Sequence, residues 1–368
     1  MLSPLFSIDK TKEAGLTRNI FLLTAAILIS IGFVSGCGEK EKKKTTVVVP
    51  ETCFTDRDET MDIDSPAIWH GPGGRHWLFA TAKSADVVLV YDAVTGETID
   101  TIGVSGTGEI QFDRPNGIAV FDSLLFVVER DNKRVQVLAL PSFEFVSFIG
   151  DTILRRPYGI AGFKNPDKSY TIYITDNYET EDGQIPPDSL LDERVKKWSC
   201  GYRDGGFTSF YIGDIGEAYG IGVLHKVESV AVDKVLKRLL IADEQDLSYK
   251  IYDLAGSASG NVMGGGAIKY EPEGIVLYEC PDTTGYWICS DQASDHTIFR
   301  IFDRRSLELI VSFRGAGTMN TDGICITQKP FGQFEQGAFF AVHDDGNVAA
   351  FDLGIIADST GLKFDCVD

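Results

Sequence analysis

The chain has 368 residues, a formal net charge of −20 at pH 7 and 43% hydrophobic residues. This length and hydrophobic content allow one large domain or two ordinary ones. The acidic charge argues against binding to duplex nucleic acid, because no basic stripe is available for phosphates, and it favours cations as partners.

The N-terminal segment has the pattern of a bacterial export signal. Lys10, Lys12 and Arg18 precede the apolar run 20–34, and small residues then lead to Cys37. The apolar run is shorter than the roughly 20 residues that a membrane-spanning helix needs. We expect residues 1–36 to be a lipoprotein signal peptide that is cleaved before Cys37, with lipid attached to the Cys37 sulfur. An uncleaved membrane anchor is the alternative.

Residues 37–44 are expected to form a flexible, charged tether between the lipid and the folded domain. The protein should then be exported and anchored to the cell envelope at the outer membrane, facing either the periplasm or the cell surface. Six cysteines follow Cys37, and an exported compartment permits disulfide bonds. A bond between Cys53 and Cys366 would join the two ends of the domain, but the sequence leaves the pairing open.

Six similar joins between a polar residue and an apolar run recur along the chain. They lie at 64–68, 114–120, 156–162, 226–232, 270–276 and 320–326. Most of their small residues are about 40–50 residues apart, a period that is typical of β-propeller blades. A second apolar strand follows each join. The sequence therefore predicts an all-β, six-bladed β-propeller over residues 45–368, with residues 177–198 as an inserted loop.

The last repeat lacks a clear fourth strand. Residues 45–51, "TTVVVPE", could supply it, so that an N-terminal strand closes the ring and no sheet edge stays open.

In a propeller, the loops that enter the innermost strands converge at one end of the central channel. This geometry predicts a ring of Asp64, Asn116, Tyr158, Glu228, Glu273 and Asp322. The ends of the second strands predict another ring on the same side, formed by Lys83, Arg130, Asp176, Glu244, Asp291 and Asp344.

Carboxylates that lie so close together repel one another and raise each other's pKa unless a cation neutralises them. An all-oxygen set without a His or Cys cluster indicates Ca²⁺. The alternative is that each carboxylate only caps a strand or accepts a backbone N–H. Lys83 and Arg130 either balance the acidic charge or help calcium to bind a polyanion, since an arginine can make a bidentate phosphate contact. The five histidines, His70, His76, His225, His296 and His343, are interpreted as structural.

These joins resemble those of the β-propeller phytases, the calcium-dependent phosphatases of inositol hexakisphosphate. The resemblance covers residues 55–358. It is carried by "DIDSPAIW" (62–69), "ESVAVDKVLKRLLIADEQD" (228–246), "EPEGIVLY" (271–278), "GYWICSDQASDHTIFRIFDR" (285–304), "NTDGICI" (320–326) and "GAFFAVHDDGNV" (337–348).

The resemblance implies a role for each matching residue. Calcium ligands would be Asp64, Glu228, Glu244, Glu271, Glu273 and Asp322, of which Glu228 and Asp322 are also expected to be catalytic. Substrate phosphate would be bound by Lys83, Arg130 and Tyr158. The sequence departs from the family where Ser65 replaces a second aspartate, where Ser84 replaces a second lysine, and in residues 175–183, which lack a phosphate-binding lysine.

The expected function is therefore calcium-dependent hydrolysis of phosphomonoesters, on phytate or a related polyphosphorylated small molecule, by attack of a metal-activated water. We expect a monomer that binds no nucleic acid. Two alternatives are a lactonase-type propeller hydrolase with one calcium and a non-catalytic propeller that binds a partner on the envelope.

Overall fold

The structure is a computed structural model that describes residues 46–150 and 152–366. The six repeats fold into six sheets, five with four antiparallel strands and one with a fifth, parallel strand at its edge, which confirms the predicted all-β, six-bladed propeller. Each sheet is one blade, and we number the blades in chain order. Blade one contains strands Ile63–His70, His76–Ala82, Val87–Asp92 and Thr98–Ile102. Blade two contains Pro115–Phe121, Leu124–Glu129, Arg134–Ala139 and Phe145–Ile149.

The next three blades follow the same order from the innermost strand outward. Blade three contains Pro157–Lys164, Tyr170–Asp176, Val195–Arg203 and Gly206–Ile215. Blade four contains Val227–Asp233, Arg238–Asp243, Ser248–Asp253 and Ala258–Met263. Blade five contains Glu271–Glu279, Gly285–Ala293, His296–Asp303 and Leu309–Arg314.

Blade six takes only three strands from the C-terminal part of the chain, which are Ile324–Thr327, Ala338–His343 and Asn347–Asp352. The α-helix Leu353–Thr360 follows directly, with the Asp352 side chain accepting hydrogen bonds from the Gly354 and Ile355 N–H groups at its N-terminus. The remaining elements are a 3₁₀ turn, Asp188–Leu190, and a parallel pair of short strands, Val104–Ser105 and Gln111–Phe112.

Burial explains why the second strand of each blade is the most hydrophobic. Leu124–Glu129 is buried at every position because its sheet is covered on both faces by neighbouring blades. The outer strand Thr98–Ile102 is exposed at four of its five positions, and three of its five residues are polar. A separate hydrophobic cluster fills each of the six gaps between neighbouring blades. The core is therefore a ring of six clusters, one between each pair of neighbouring blades.

The ring is closed by an N-terminal strand, but not by the one that we predicted. Cys53–Phe54 pairs antiparallel with Asn347–Asp352 and supplies the fourth strand of blade six. Thr46–Val48, which lies in the predicted closing segment, instead pairs in parallel with Leu309–Arg314 as a fifth strand of blade five. The carboxylate of Glu51 lies between these two strands and accepts hydrogen bonds from the backbone N–H groups of residues 316–318. The N-terminal segment thus covers the outer edges of blades five and six.

Two further expectations need correction. Cys366 forms a disulfide with Cys280, at a Cα–Cα distance of 5.3 Å, and Cys53 has a free thiol. The insertion in blade three is shorter than predicted, because the third strand of that blade begins at Val195.

The predicted signal peptide 1–36, the lipidated Cys37 and the tether 37–44 lie outside the described residues. Within the described part of the chain, no helix is long and apolar enough to cross a membrane.

Candidate metal and phosphate site

The inner strands enclose a central channel. Each inner strand contacts that of the next blade, and the strand of blade six contacts that of blade one. At one end, Asp64, Tyr158, Glu228, Glu273 and Asp322 line a narrow cavity. We call this end the mouth. Towards the other end, the lining side chains become apolar and the channel widens to a cavity of about 370 Å³.

A β-bulge in the inner strand turns each mouth side chain into the channel. In blades one to five, the pairing with the second strand skips two residues, and the first skipped residue is Asp64, Asn116, Tyr158, Glu228 or Glu273. A bulge redirects a side chain that a regular strand would send into the packed face of the sheet. Asp322 takes the same place in blade six, just before the inner strand begins at Ile324.

The second skipped residue in each bulge is small because the backbones of neighbouring blades almost touch there. A Cβ atom on Gly117 would lie 2.3 Å from the Tyr158 carbonyl oxygen, and one on Gly159 would lie 2.3 Å from the Glu228 carbonyl oxygen. Glycine is therefore required by the close approach. This contact brings the six mouth residues to one small opening although they are far apart in the sequence.

Buried hydroxyl groups of the second strands fix these bulges. The Thr175 hydroxyl accepts a hydrogen bond from the Gly159 N–H at 2.7 Å and donates one to the Glu228 carbonyl oxygen of the next blade at 2.6 Å. Thr81 joins Ser65 to the Asn116 carbonyl oxygen in the same way. These threonines were missed in the sequence because they look like ordinary strand residues.

Three glutamates form the densest group of carboxylates in the mouth. Oxygen atoms of Glu228, Glu244 and Glu273 all lie within 4.8 Å of one another. Burial is the main cause of the raised pKa of Glu228, to which Glu244 and Asp64 add. Burial and then the charge of Glu228 likewise raise the pKa of Glu273. One oxygen of Glu244, Oε1, is buried and has no hydrogen-bond partner. The three carboxylates therefore have little compensating positive charge, which comes, among the described residues, only from Lys226 at their edge.

Lys226 lies at the edge of this group and was missed by our sequence analysis. Its ammonium group pairs with Glu244, and its side chain is 43% exposed. Burial opposes this charge, but Glu244 outweighs burial and raises the pKa of Lys226. A lysine side chain with this exposure can rotate away from the carboxylate into solvent without disturbing the hydrophobic core.

Lys83 is held much more firmly, between the carboxylates of blades one and six. Its Nζ lies 2.9 Å from Asp322, 3.1 Å from Asp64 and 3.3 Å from Asp62, and its side chain is only 12% exposed. Burial raises the pKa of Asp322 to about 6, although Lys83 opposes this effect. Ser65, which stands where the phytases have an aspartate, donates a hydrogen bond to Asp64. Lys83 thus supplies the positive charge for the carboxylates of Asp62, Asp64 and Asp322.

The predicted second ring is partly wrong, because two of its members point away from the mouth. Asp176 is fully buried and accepts hydrogen bonds from the backbone N–H groups of Arg155 and Arg156. Asp291 caps Lys269 and Tyr270 in the same way.

In blades four and five, the residue that follows the cap lies in the mouth. In blade five it is Gln292, whose amide donates to Asp322 at 2.5 Å. In blade four the order is Asp243, which is the cap, and then Glu244, which lies in the mouth. Of two other predicted residues, Glu271 is exposed at the edge of the acidic group, where its charge acts on Glu244, and Asp344 pairs with Arg57.

The opposite side of the mouth, in blades two and three, is basic. Arg130 pairs with Asp131 and donates a hydrogen bond to the Tyr158 hydroxyl at 3.4 Å. The hydrogen bond from Arg130 is the main reason that the pKa of Asp131 is lowered, and Arg114 and Arg156 contribute to it. The charges of three guanidinium groups therefore act on one carboxylate, although only Arg130 contacts it and Arg156 pairs with Glu179. Arg114 and Arg156 each stand two residues before a mouth residue, a repeat that the sequence analysis did not use.

Comparisons with known proteins do not identify the chemistry of this site. No protein-family model and no curated protein matches the chain. Among solved structures, hydrazine synthase from Kuenenia stuttgartiensis aligns with a TM-score of 0.46 and 15% sequence identity, over 76% of this chain and 74% of that chain.

Proposed function

We propose that the mouth binds calcium and that the protein is a calcium-dependent phosphomonoester hydrolase, acting on phytate or a related polyphosphorylated small molecule. The observation that carries the proposal is the group of three glutamates with oxygens within 4.8 Å of one another. Oxygens on opposite sides of a calcium ion lie about 5 Å apart, since each Ca–O distance is about 2.5 Å. The donor set is all oxygen, and the partnerless oxygen of Glu244 is free to bind an ion. These residues fit calcium.

Each side of the mouth has its own task in this proposal. Glu228, Glu244 and Glu273 would hold calcium, which supplies an activated water and charge for the phosphoryl oxygens. Asp322, from blade six next to Glu273 of blade five, would accept a proton from an attacking water. The basic side, with Arg130 and Tyr158, would bind a second phosphate of the same substrate. A substrate with several phosphates matches a mouth that is acidic on one side and basic on the other.

One observation favours a second candidate, a hydrolase of the lactonase type with one calcium. Lys83 already neutralises Asp64 and Asp322, so that only the three glutamates are left for a metal. A single-calcium hydrolase does not need arginines for phosphate, however, and Arg114, Arg130 and Arg156 would then have no role in substrate binding.

Phosphate release from phytate, measured with calcium and with a chelator, tests the proposal. We expect turnover that needs calcium and that falls at least about a hundredfold in Glu228→Gln, because an amide is a weaker ligand and carries no charge. Glu308→Gln, an exposed change on the outer side of blade five, is the control and should leave turnover unchanged. Calcium-dependent cleavage of lactones without phosphate release would support the second candidate. Calcium binding without turnover of either substrate would indicate a binding protein.

A further inference from the structure

Two histidines face each other at the end of blade one that is remote from the mouth. His70 ends the inner strand, His76 begins the second strand, and the two residues are directly paired across the turn 71–75. Their Nδ1 atoms are 2.7 Å apart. Between Asp64 and this turn the inner strand covers roughly 20 Å, at about 3.3 Å per residue. The pair is therefore separate from the carboxylates of the mouth.

The surroundings hold both rings in place. The His70 Nε2 atom lies 2.8 Å from the Thr327 hydroxyl of blade six. The Phe331 ring packs against both imidazoles, with centroid distances of 5.1 Å to each. A histidine that ligates a metal usually donates its other ring N–H to an oxygen, which fixes the ring and leaves the first nitrogen free. Thr327 is placed to be that oxygen for His70.

We propose that His70 and His76 chelate a divalent transition metal ion with right-angled coordination, Cu²⁺ or Ni²⁺, through their Nδ1 atoms. Imidazole nitrogens suit these ions, whereas calcium prefers oxygen. Two nitrogens at right angles, each about 2.05 Å from an ion, are about 2.9 Å apart. The observed separation of 2.7 Å is close to this value. Water would complete the coordination.

Proton positions in the pair are compatible with metal binding. One Nδ1 must carry the proton that the other accepts, and the bond to Thr327 favours a proton on Nε2 of His70. The shared proton then belongs to Nδ1 of His76, and it moves to Nε2 of the same ring when a metal takes its place, so no net proton is released. Burial, His76 and Lys329 lower the pKa of His70 to about 4, and the ring is neutral at physiological pH.

The pair lies where the propeller closes. His70 belongs to blade one, and Thr327 and Phe331 belong to the chain of blade six. An ion that binds the folded state alone stabilises it. Metal bound here would therefore strengthen the contact between the first and last blades.

Quenching of tryptophan fluorescence by Cu²⁺ tests the proposal. Trp69 and Trp77 precede and follow the two histidines and pack on each other at 5.2 Å on the opposite face of the same two strands, so that a bound copper ion would lie across the sheet from both indoles. The titration uses the full chain with calcium in excess, which keeps the carboxylates of the mouth occupied. We expect saturable quenching with one equivalent and an affinity at least about tenfold weaker in His76→Asn. His296→Asn, in blade five, is the control and should titrate like the wild type.

A second variant keeps the test decisive if His76→Asn does not fold. Lys329 is a positive charge that acts on His70 and is not a ligand. Lys329→Gln should therefore bind Cu²⁺ several times more tightly than the wild type. Quenching that does not saturate in the wild type, or equal affinities in the wild type and every folded variant, would overturn the proposal.

Discussion

At the level of single residues, the acidic mouth contains two lysines that differ in their exposure to solvent. Lys83 is nearly buried among Asp62, Asp64 and Asp322, whereas Lys226 is partly exposed beside Glu244. Removing one partner of a buried ion pair is costly because the remaining charge has no compensation. The two lysines should therefore respond differently to substitution.

We predict that Lys83→Met lowers the free energy of unfolding by about 3 kcal/mol in the presence of a chelator. Lys226→Met, the matched control, should lower it by less than Lys83→Met does, because the Lys226 ammonium is partly exposed and has one carboxylate partner. Urea unfolding gives both values. Calorimetry should also detect an additional calcium site in Lys83→Met, because Asp64 and Asp322 become free. Equal stability of the two variants would show that Lys83 does not compensate the carboxylates.

The pKa of Asp322 gives a prediction for the pH dependence of stability without calcium. Burial raises this pKa from 3.8 to about 6, so between these values the folded protein binds more protons than the unfolded chain. Stability is then highest at low pH within this window and falls as the pH rises through about 6, with a contribution of about 3 kcal/mol from this residue. The stability of Asp322→Asn, measured by urea unfolding at several pH values, should depend less on pH. An unchanged pH dependence would contradict the assignment.

At the level of strands, the bulge of each inner strand turns a side chain into the mouth. The sequence predicted which residues of the inner strands lie there, but not which residues of the second strands lie beside them. The joins at Asp64, Glu228 and Glu273 were recognisable because a carboxylate stands before a small residue and an apolar run. The second ring was displaced by one residue in blade five, since alternation alone does not tell whether Asp291 or Gln292 faces the channel. A one-residue shift moves a side chain to the other face of a strand.

A single methyl group tests the role of the bulge. Gly159→Ala would place a Cβ atom 2.3 Å from the Glu228 carbonyl oxygen, so the backbone that positions Glu228 must move. We expect a loss of about 2 kcal/mol in unfolding free energy and weaker calcium binding. Gly206→Ala, where a Cβ atom meets nothing within 4 Å, is the matched control. Calcium binding as tight as in the wild type would show that the bulge does not set the site.

At the scale of the whole molecule, the number of blades followed from the repeat, but the closure did not. Cys53–Phe54 is two residues long, too short for any periodicity, and its place depends on contacts with strand Asn347–Asp352 nearly 300 positions away. The Cys280–Cys366 bond likewise depends on where the C-terminal chain crosses blade five, which local sequence does not encode. The number of blades follows from counting repeats that are each recognised locally, whereas ring closure depends on contacts between the two ends of the domain.

The attachment of the molecule to the envelope is a separate proposal. If lipid is attached to Cys37, then Cys37→Ser should move the protein from the membrane fraction to the soluble fraction after export. Cell fractionation with detection of the folded domain measures this change. Cys53→Ser, which alters a thiol inside the domain, is the control. Retention of Cys37→Ser in the membrane would favour the uncleaved anchor.

Calcium titration by calorimetry tests whether distant chain segments bring their carboxylates to one mouth where calcium neutralises them. Glu273 comes from blade five and Glu228 and Glu244 from blade four, yet their oxygens lie within 4.8 Å. We predict that the wild type and Glu308→Gln bind calcium equally, and that Glu273→Gln binds at least about tenfold more weakly. No calcium binding by the wild type, or equal binding by Glu273→Gln, would contradict the account.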